Sequence, residues 1–239
     1  MKPLLALAVL AGALLSPALA FAQPVEPAAT PTVDQLLDNM EKVRLTLKTF
    51  KADVEKLRQV EALGDNEVFK GLIQFKMPRL LRLELKNVEN GKETIYIVGP
   101  RYGWIYRPQT RQAEQAELKD IADRRKSSNP LEYGLARDIR ELKDAYALKL
   151  LPQETVGDIR AWPLELAPLA AGAQTGRMIF WIDPATWLPV RLREYKSNNE
   201  IIETHTFSNV KLNAAVSDKS FELPRGVDII IHDAEPAKG

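Results

Sequence analysis

The chain has 239 residues, no cysteine and a formal charge of +1. Without cysteine there is no disulfide framework, thiolate zinc cluster or thiol nucleophile. Charge this close to balance argues against a nucleic-acid binder, which carries a basic excess.

The opening segment has three parts. Lys2 supplies a positive start, Leu4 to Leu15 is an uncharged apolar run, and Pro17 ends it. Ala18-Leu19-Ala20 and Ala20-Phe21-Ala22 both then offer small-x-small cleavage sites. The run is shorter than the ~20 residues of a membrane-spanning helix. It reads as a cleavable export signal over residues 1–22, cut after Ala22 or, less favourably, after Ala20. With no cysteine to follow it, a lipid anchor on the mature chain is not expected. Removal of Lys2 with the signal leaves 32 basic against 32 acidic residues. Residues 23–31 read as a flexible leader, residues 32–232 as a single domain, and residues 233–239 as a frayed, disordered tail.

Thr32 and Gln35 form a capping-box pair. Val33, Leu36, Leu37, Met40, Val43 and Leu47 follow at helical spacing, which predicts a helix over Val33 to Leu47. The period then drops to two. Phe69, Ile73, Phe75 and Met77 share one face of a predicted strand; Leu81, Leu83 and Leu85 alternate with charged residues in the next; Ile95 and Ile97, then Trp104-Ile105-Tyr106, continue the pattern. Turn signals separate them, at Gly64-Asp65-Asn66, Met77-Pro78, Glu89-Asn90-Gly91 and Gly99-Pro100. This predicts an antiparallel meander with one apolar face. Residues 115–130 are charged and irregular, with a short helical turn predicted near Leu118 to Arg125. Asn129-Pro130 then opens a second predicted helix, with Glu132 at its third position. Leu131, Leu135, Ile139 and Leu142 form its stripe, and Gly134 within it costs ~1 kcal/mol of helix stability against alanine. Alternating segments follow at Tyr146 to Leu150, Trp162 to Leu166, Met178 to Ile182, Val190 to Leu192, Ile201 to Val210 and Phe221 to Ile231. About ten strands and two helices predict a mainly β (α+β) chain, a barrel or strongly curved sheet covered by helices.

Catalysis finds little support. His205 lies in a strand between threonines and His232 near the end of the chain, with no metal-ligand spacing around either. No Gly-x-Ser-x-Gly, phosphate-cradling loop or dinucleotide fingerprint is present. The expectation is a protein without enzymatic activity, cofactor or metal. The apolar stripes fit either a filled core or an apolar cavity.

Four segments carry a resemblance. They are Leu37 to Phe50; Gly71-Leu72-Ile73-Gln74-Phe75-Lys76-Met77-Pro78-Arg79-Leu80-Leu81-Arg82-Leu83; Gly103-Trp104-Ile105-Tyr106-Arg107-Pro108; and a C-terminal set. That set runs from Trp181-Ile182-Asp183-Pro184 and Leu188-Pro189-Val190 through Phe207-Ser208-Asn209-Val210-Lys211-Leu212-Asn213 to Phe221-Glu222-Leu223-Pro224-x-Gly226-Val227-Asp228. In this order the chain resembles the LolA family of periplasmic outer-membrane lipoprotein carriers. The resemblance implies a curved, incomplete antiparallel β-barrel with lid helices over a hydrophobic cavity. It also implies a periplasmic carrier that receives lipoproteins from an inner-membrane ABC transporter and passes them to an outer-membrane acceptor. A monomer is expected. The implied acyl-chain cavity is lined by Phe69, Ile73, Phe75, Leu81, Leu83, Ile95, Trp104, Phe180 and Ile182, and the lid carries Leu131, Leu135 and Ile139. The family's latch arginine, before the proline of its strand turn, is Met77 here, which leaves Arg79 or Arg82 as the latch. A divergent lipid binder or an envelope-stress sensor on the same fold is the alternative.

Overall fold

The computed structural model describes residues 30–60, 65–117, 139–170 and 176–231. The export signal, most of the leader, the predicted helical turn at Leu118 to Arg125, lid residues Leu131 and Leu135, His232 and the tail lie outside the described residues.

Helix α1 (Val33–Thr46) starts where the sequence predicts, with both halves of the Thr32–Gln35 capping box formed. Leu36, Leu37 and Met40 are buried on one side of it. Leu47 ends it in an extended conformation, and two residues later the chain enters β1 (Thr49–Val60). The strands that follow are β2 (Asp65–Lys76), β3 (Leu80–Asn87), β4 (Glu93–Val98), β5 (Tyr102–Arg107) and β6 (Gln112–Glu117). A short 3-10 turn (Ile139–Glu141) and helix α2 (Leu142–Ala145) lead into β7 (Tyr146–Leu150), β8 (Glu154–Val156), β9 (Ile159–Pro168), β10 (Arg177–Ile182), β11 (Pro189–Tyr195), β12 (Ile201–Leu212) and β13 (Asp228–Ile231).

These thirteen described strands form one open sheet in the order β13-β6-β5-β4-β3-β2-β1-β12-β11-β10-β9-β7, with β8 paired to β9. Every pairing is antiparallel except β13 with β6. The sheet is large, curved and unclosed, the incomplete barrel that the resemblance implied. β1, first in the chain, stands in its middle. β6 and β7 are consecutive among the described strands, yet they lie toward opposite ends of the sheet.

One large apolar cluster joins α1 to the inner side of the sheet, from Phe50, Ala52 and Val54 of β1 through Ile73 and Phe75 to Trp162, Leu164, Phe180 and Phe207. Two smaller clusters lie elsewhere, one around Trp181 and Ile179 and one around Ile95, Ile97 and Tyr106.

Three features depart from the sequence reading. β1, β6 and β8 add strands to the ten expected. The last expected strand, Phe221 to Ile231, is broken: Asp218–Phe221 is a 3-10 turn and only Asp228–Ile231 pairs. Pro224 withholds an N–H, and Gly226 sits at a φ of 70°, so the chain turns between the two pieces. The second helix, where described, is a 3-10 turn and one helical turn rather than a continuous stripe.

Candidate functional site: the helix-covered face of the sheet

Directly opposed residues of an antiparallel pair point to the same face. The register therefore lays out the inner face row by row. Phe50 stands opposite Phe75, which stands opposite Leu81; Ala52 opposite Ile73, opposite Leu83, opposite Tyr96; and Val54 opposite Gly71, opposite Leu85. On the other side of the central strand, Leu192 and Phe180 are opposed, as are Phe180 and Leu164. Seven of the residues expected to line one apolar site share this face. Ile73, Phe180 and Ile182 are 0% exposed, Phe75 2% and Leu83 7%, while Phe69 and Leu81 pack against them half-buried. A side chain at 0% exposure leaves no surface that a water molecule can touch. Around those residues the interior is filled.

Ile95 and Trp104 are not brought to this face. Leu83 pairs with Tyr96, so Ile95 falls opposite Glu84, and Ile95 in turn pairs with Tyr106. Ile95, Ile97, Tyr106 and Trp104 pack on the outer side with Leu223 and Val227 of the C-terminal segment. Trp104 Nε1 donates to Gln115 Oε1 at 2.8 Å there. The placement of these two residues is corrected by the β3–β4 register: shifting the pairing by one residue exchanges the faces.

The candidate latch arginines are also separated from the inner face. Arg79 is exposed in the turn after the cis Met77-Pro78 bond. Arg82 stands opposite Ile97 on the outer face. Its Nε donates to Glu84 at 2.6 Å and its Nη1 to the Ser220 carbonyl at 3.2 Å. Arg82 does bind a backbone carbonyl, but it fastens the C-terminal 3-10 turn rather than a described part of the expected lid.

A different residue clasps the described end of the segment expected to form the lid. Glu41 is buried on α1 and receives Arg44 Nε at 2.7 Å and Nη2 at 2.6 Å. The same carboxylate accepts the backbone N–H of Ile139 at 3.3 Å. Ile139 and Leu142 are fully buried against α1, and Lys143 pairs with Asp34 at the start of the helix. An unmet buried N–H is costly, so Glu41 holds the chain entering α2 onto α1.

The inner face also carries an ionic patch that sequence reasoning missed. Lys56 of β1 stands opposite His205 of β12, and Arg58 opposite Glu203. Glu203 stands opposite Glu194 of β11. Glu203 Oε1 accepts from His205 Nε2 at 2.7 Å, and its other oxygen pairs with Lys56. The His205 and Glu203 side chains are only 12% and 21% exposed. Burial by itself raises the Glu203 carboxyl; the hydrogen bond and charge of His205, with Lys56, outweigh it and bring the group down to about 2. Glu194 moves the other way. Burial, then the neighbouring Glu203 charge, push it up to about 7, against the pull of Lys56. The signal for the pair was present: Glu203 and His205 are two apart in a strand and so share a face.

A family model described as an uncharacterized protein matches residues 98–217, half of the chain. No curated protein matches the sequence. Among solved structures, an uncharacterized conserved protein from Thermus thermophilus is similar at a TM-score of 0.58 and 14% identity, covering 83% of this chain and 98% of that one. MucB is similar at a TM-score of 0.50 and 16% identity, covering 82% of this chain and 64% of its own, so this chain spans less than two thirds of it. A LolA-superfamily protein from Nitrosomonas europaea aligns at a TM-score of 0.40 and 14% identity, covering 81% of this chain and 98% of that one. At these identities the first two likenesses are of fold alone.

Proposed function

The chain belongs to the family whose model spans residues 98–217, and we propose that it is a periplasmic carrier that shields acyl chains on the inner face of its curved sheet. A single chain of ~14 methylenes exposes about 11 kcal/mol of hydrophobic surface to water. Passage between two membranes therefore requires a protein surface that covers it. The observation that carries the reading is the continuous apolar face of Phe69, Ile73, Phe75, Leu81, Leu83, Phe180 and Ile182 packed together with α1. An open sheet closed off by one clasped helix is a form that admits a guest when the helix shifts. The clasp at Glu41 takes the role that the resemblance gave to a latch arginine.

In this reading the cargo is the acyl portion of an outer-membrane lipoprotein. It is received from an inner-membrane ABC transporter and released to an outer-membrane acceptor. Residues 1–22 direct export, residues 32–232 act as one carrier domain, and Leu131, Leu135 and Ile139 serve as the lid residues. The protein acts as a monomer and catalyses no reaction.

The test is to express the full chain with its leader in a Gram-negative host, purify it from the periplasm without detergent, and weigh it by native mass spectrometry. A co-purifying acylated protein is expected. Free lipid in its place restricts the role to a lipid shuttle, and a chain that stays empty and takes up no added lipid overturns the reading.

A further inference from the structure

The ionic patch lies inside an otherwise apolar face. Lys56 and Phe69 are directly opposed on β1 and β2, and Leu192 stands opposite His205. Val54 and Phe207 follow two residues along the same strands, both buried. On the far side, Glu194 stands opposite Met178, which is fully buried. A face meant only for packing or for acyl chains has no use for two glutamates, a lysine and a histidine in its middle. Burying charge is costly unless each charge is matched.

The matching is incomplete. Glu203 is satisfied by Lys56 and His205. Arg58 is taken by Glu67 at 2.5 Å. Glu194 is half-buried directly across from Glu203, and among the described residues it makes no ion pair or side-chain hydrogen bond. His205 Nδ1 is buried and likewise lacks a partner among the described residues. The cluster thus leaves the Glu194 carboxyl without a partner among the described residues, flanked by apolar side chains on both sides.

We infer that this patch seats the polar end of the guest: an amphiphile whose acyl chains lie over the apolar rows and whose amine binds Glu194. This rests on the carrier reading and deepens it. The chemistry fits a diacylglyceryl molecule with a free ammonium. Two sources supply one: the unacylated amino terminus of a diacyl lipopeptide, or an ethanolamine headgroup. A guest ammonium offers Glu194 a positive charge and N–H donors together, a combination that a choline, glycerol or N-acylated head lacks. Charge-assisted hydrogen bonds of this kind are the strong ones.

The test uses the full chain and two matched pairs of probes. The first pair is a diacyl lipopeptide with a free amino terminus and the same peptide N-acetylated. The second is phosphatidylethanolamine and phosphatidylglycerol of equal chain length. Affinities are measured for wild type and Glu194→Gln. Wild type is expected to favour the free amine roughly tenfold in at least one pair, and the pair that shows it identifies the source. Glu194→Gln is expected to erase the preference while keeping the affinity for the N-acetylated or glycerol probe. Equal binding within both pairs overturns the amine seat and leaves the carrier reading standing. A preference that survives in Glu194→Gln moves the seat elsewhere and also overturns it. Failure of every probe to bind overturns both. Because the variant removes an uncompensated buried charge, it keeps the fold, which circular dichroism checks alongside.

Discussion

At the scale of single residues, Glu194 and Glu41 make opposite contributions. The Glu194 carboxyl is raised from 4.5 to about 7 by burial and by Glu203. A raised acid binds its proton more tightly in the folded chain. Its contribution is therefore most favourable below about pH 4.5 and is lost as pH rises through about 7. Glu203, brought down to about 2, has the reverse sign: its contribution is present above about pH 4.5 and is lost as pH falls toward 2. Glu194→Gln is thus expected to stabilise the protein at pH 8 by on the order of 1–3 kcal/mol and to change little at pH 5. Thermal melts of both proteins at the two pH values check this, and equal melting shifts at both would show that the charge of Glu194 does not matter to folding. Glu41 is satisfied on every side that the structure describes. Glu41→Gln weakens the Arg44 pair and the bond to Ile139 N–H, and is expected to cost about 1–3 kcal/mol. Faster amide exchange at Ile139 to Ala145 than in wild type is the specific readout. Uniformly faster exchange would remove the clasp.

At the scale of elements, the sheet depends on close approach at one glycine. Gly71 sits on the inner face of β2, and a methyl group there would overlap the Glu84 carbonyl of β3. Gly71→Ala forces the two central strands apart and is expected to cost ~3 kcal/mol or more, read as a drop in the denaturant midpoint. A loss below about 1 kcal/mol would mean that the strands separate freely there. Much of this architecture was legible beforehand. Helix α1, its capping box and the turns of the meander follow from local chemistry: a side-chain cap, a 3.6-residue period, and Pro, Gly and Asn between runs. What was harder to read has physical reasons. β1 alternates cleanly only as far as Phe50, Ala52 and Val54; at Lys56 and Arg58 the inward positions turn charged and the pattern dissolves. The ionic patch that hides the strand from the sequence is the patch that gives the inner face its polar seat. β6 buries only Ala113 fully, so its pairing comes from neighbours rather than from its own side chains. Ile95 and Trp104 alternate as well as Leu83 does, but alternation does not say which face is inside. That depends on the β3–β4 register, a non-local property.

At the scale of the whole unit from Pro31 onward, the sheet has two apolar faces that are covered in different ways. The outer one is closed by the chain's own C-terminal segment: Leu223 and Val227 cover Ile95 and Tyr106, and Arg82 pins the 3-10 turn at Ser220. The inner one is closed by α1, held through Glu41 to the chain at Ile139. Covering by a clasped helix is reversible in a way that covering by a strand paired into the sheet is not, since helix release breaks no ladder of backbone hydrogen bonds. In the proposed carrier reading, this asymmetry favours the inner face for the guest. The most direct measurement is photolabelling of the full chain with a fatty acid carrying a diazirine in its tail, followed by peptide mapping. Labels are expected on peptides holding Phe69, Ile73, Phe75, Leu81, Leu83, Phe180 and Ile182, with loss of label when unlabelled fatty acid competes. Competable labels confined to the outer-face residues Ile95, Trp104 and Leu223, with none on β2 or β10, would contradict an acyl-binding inner face.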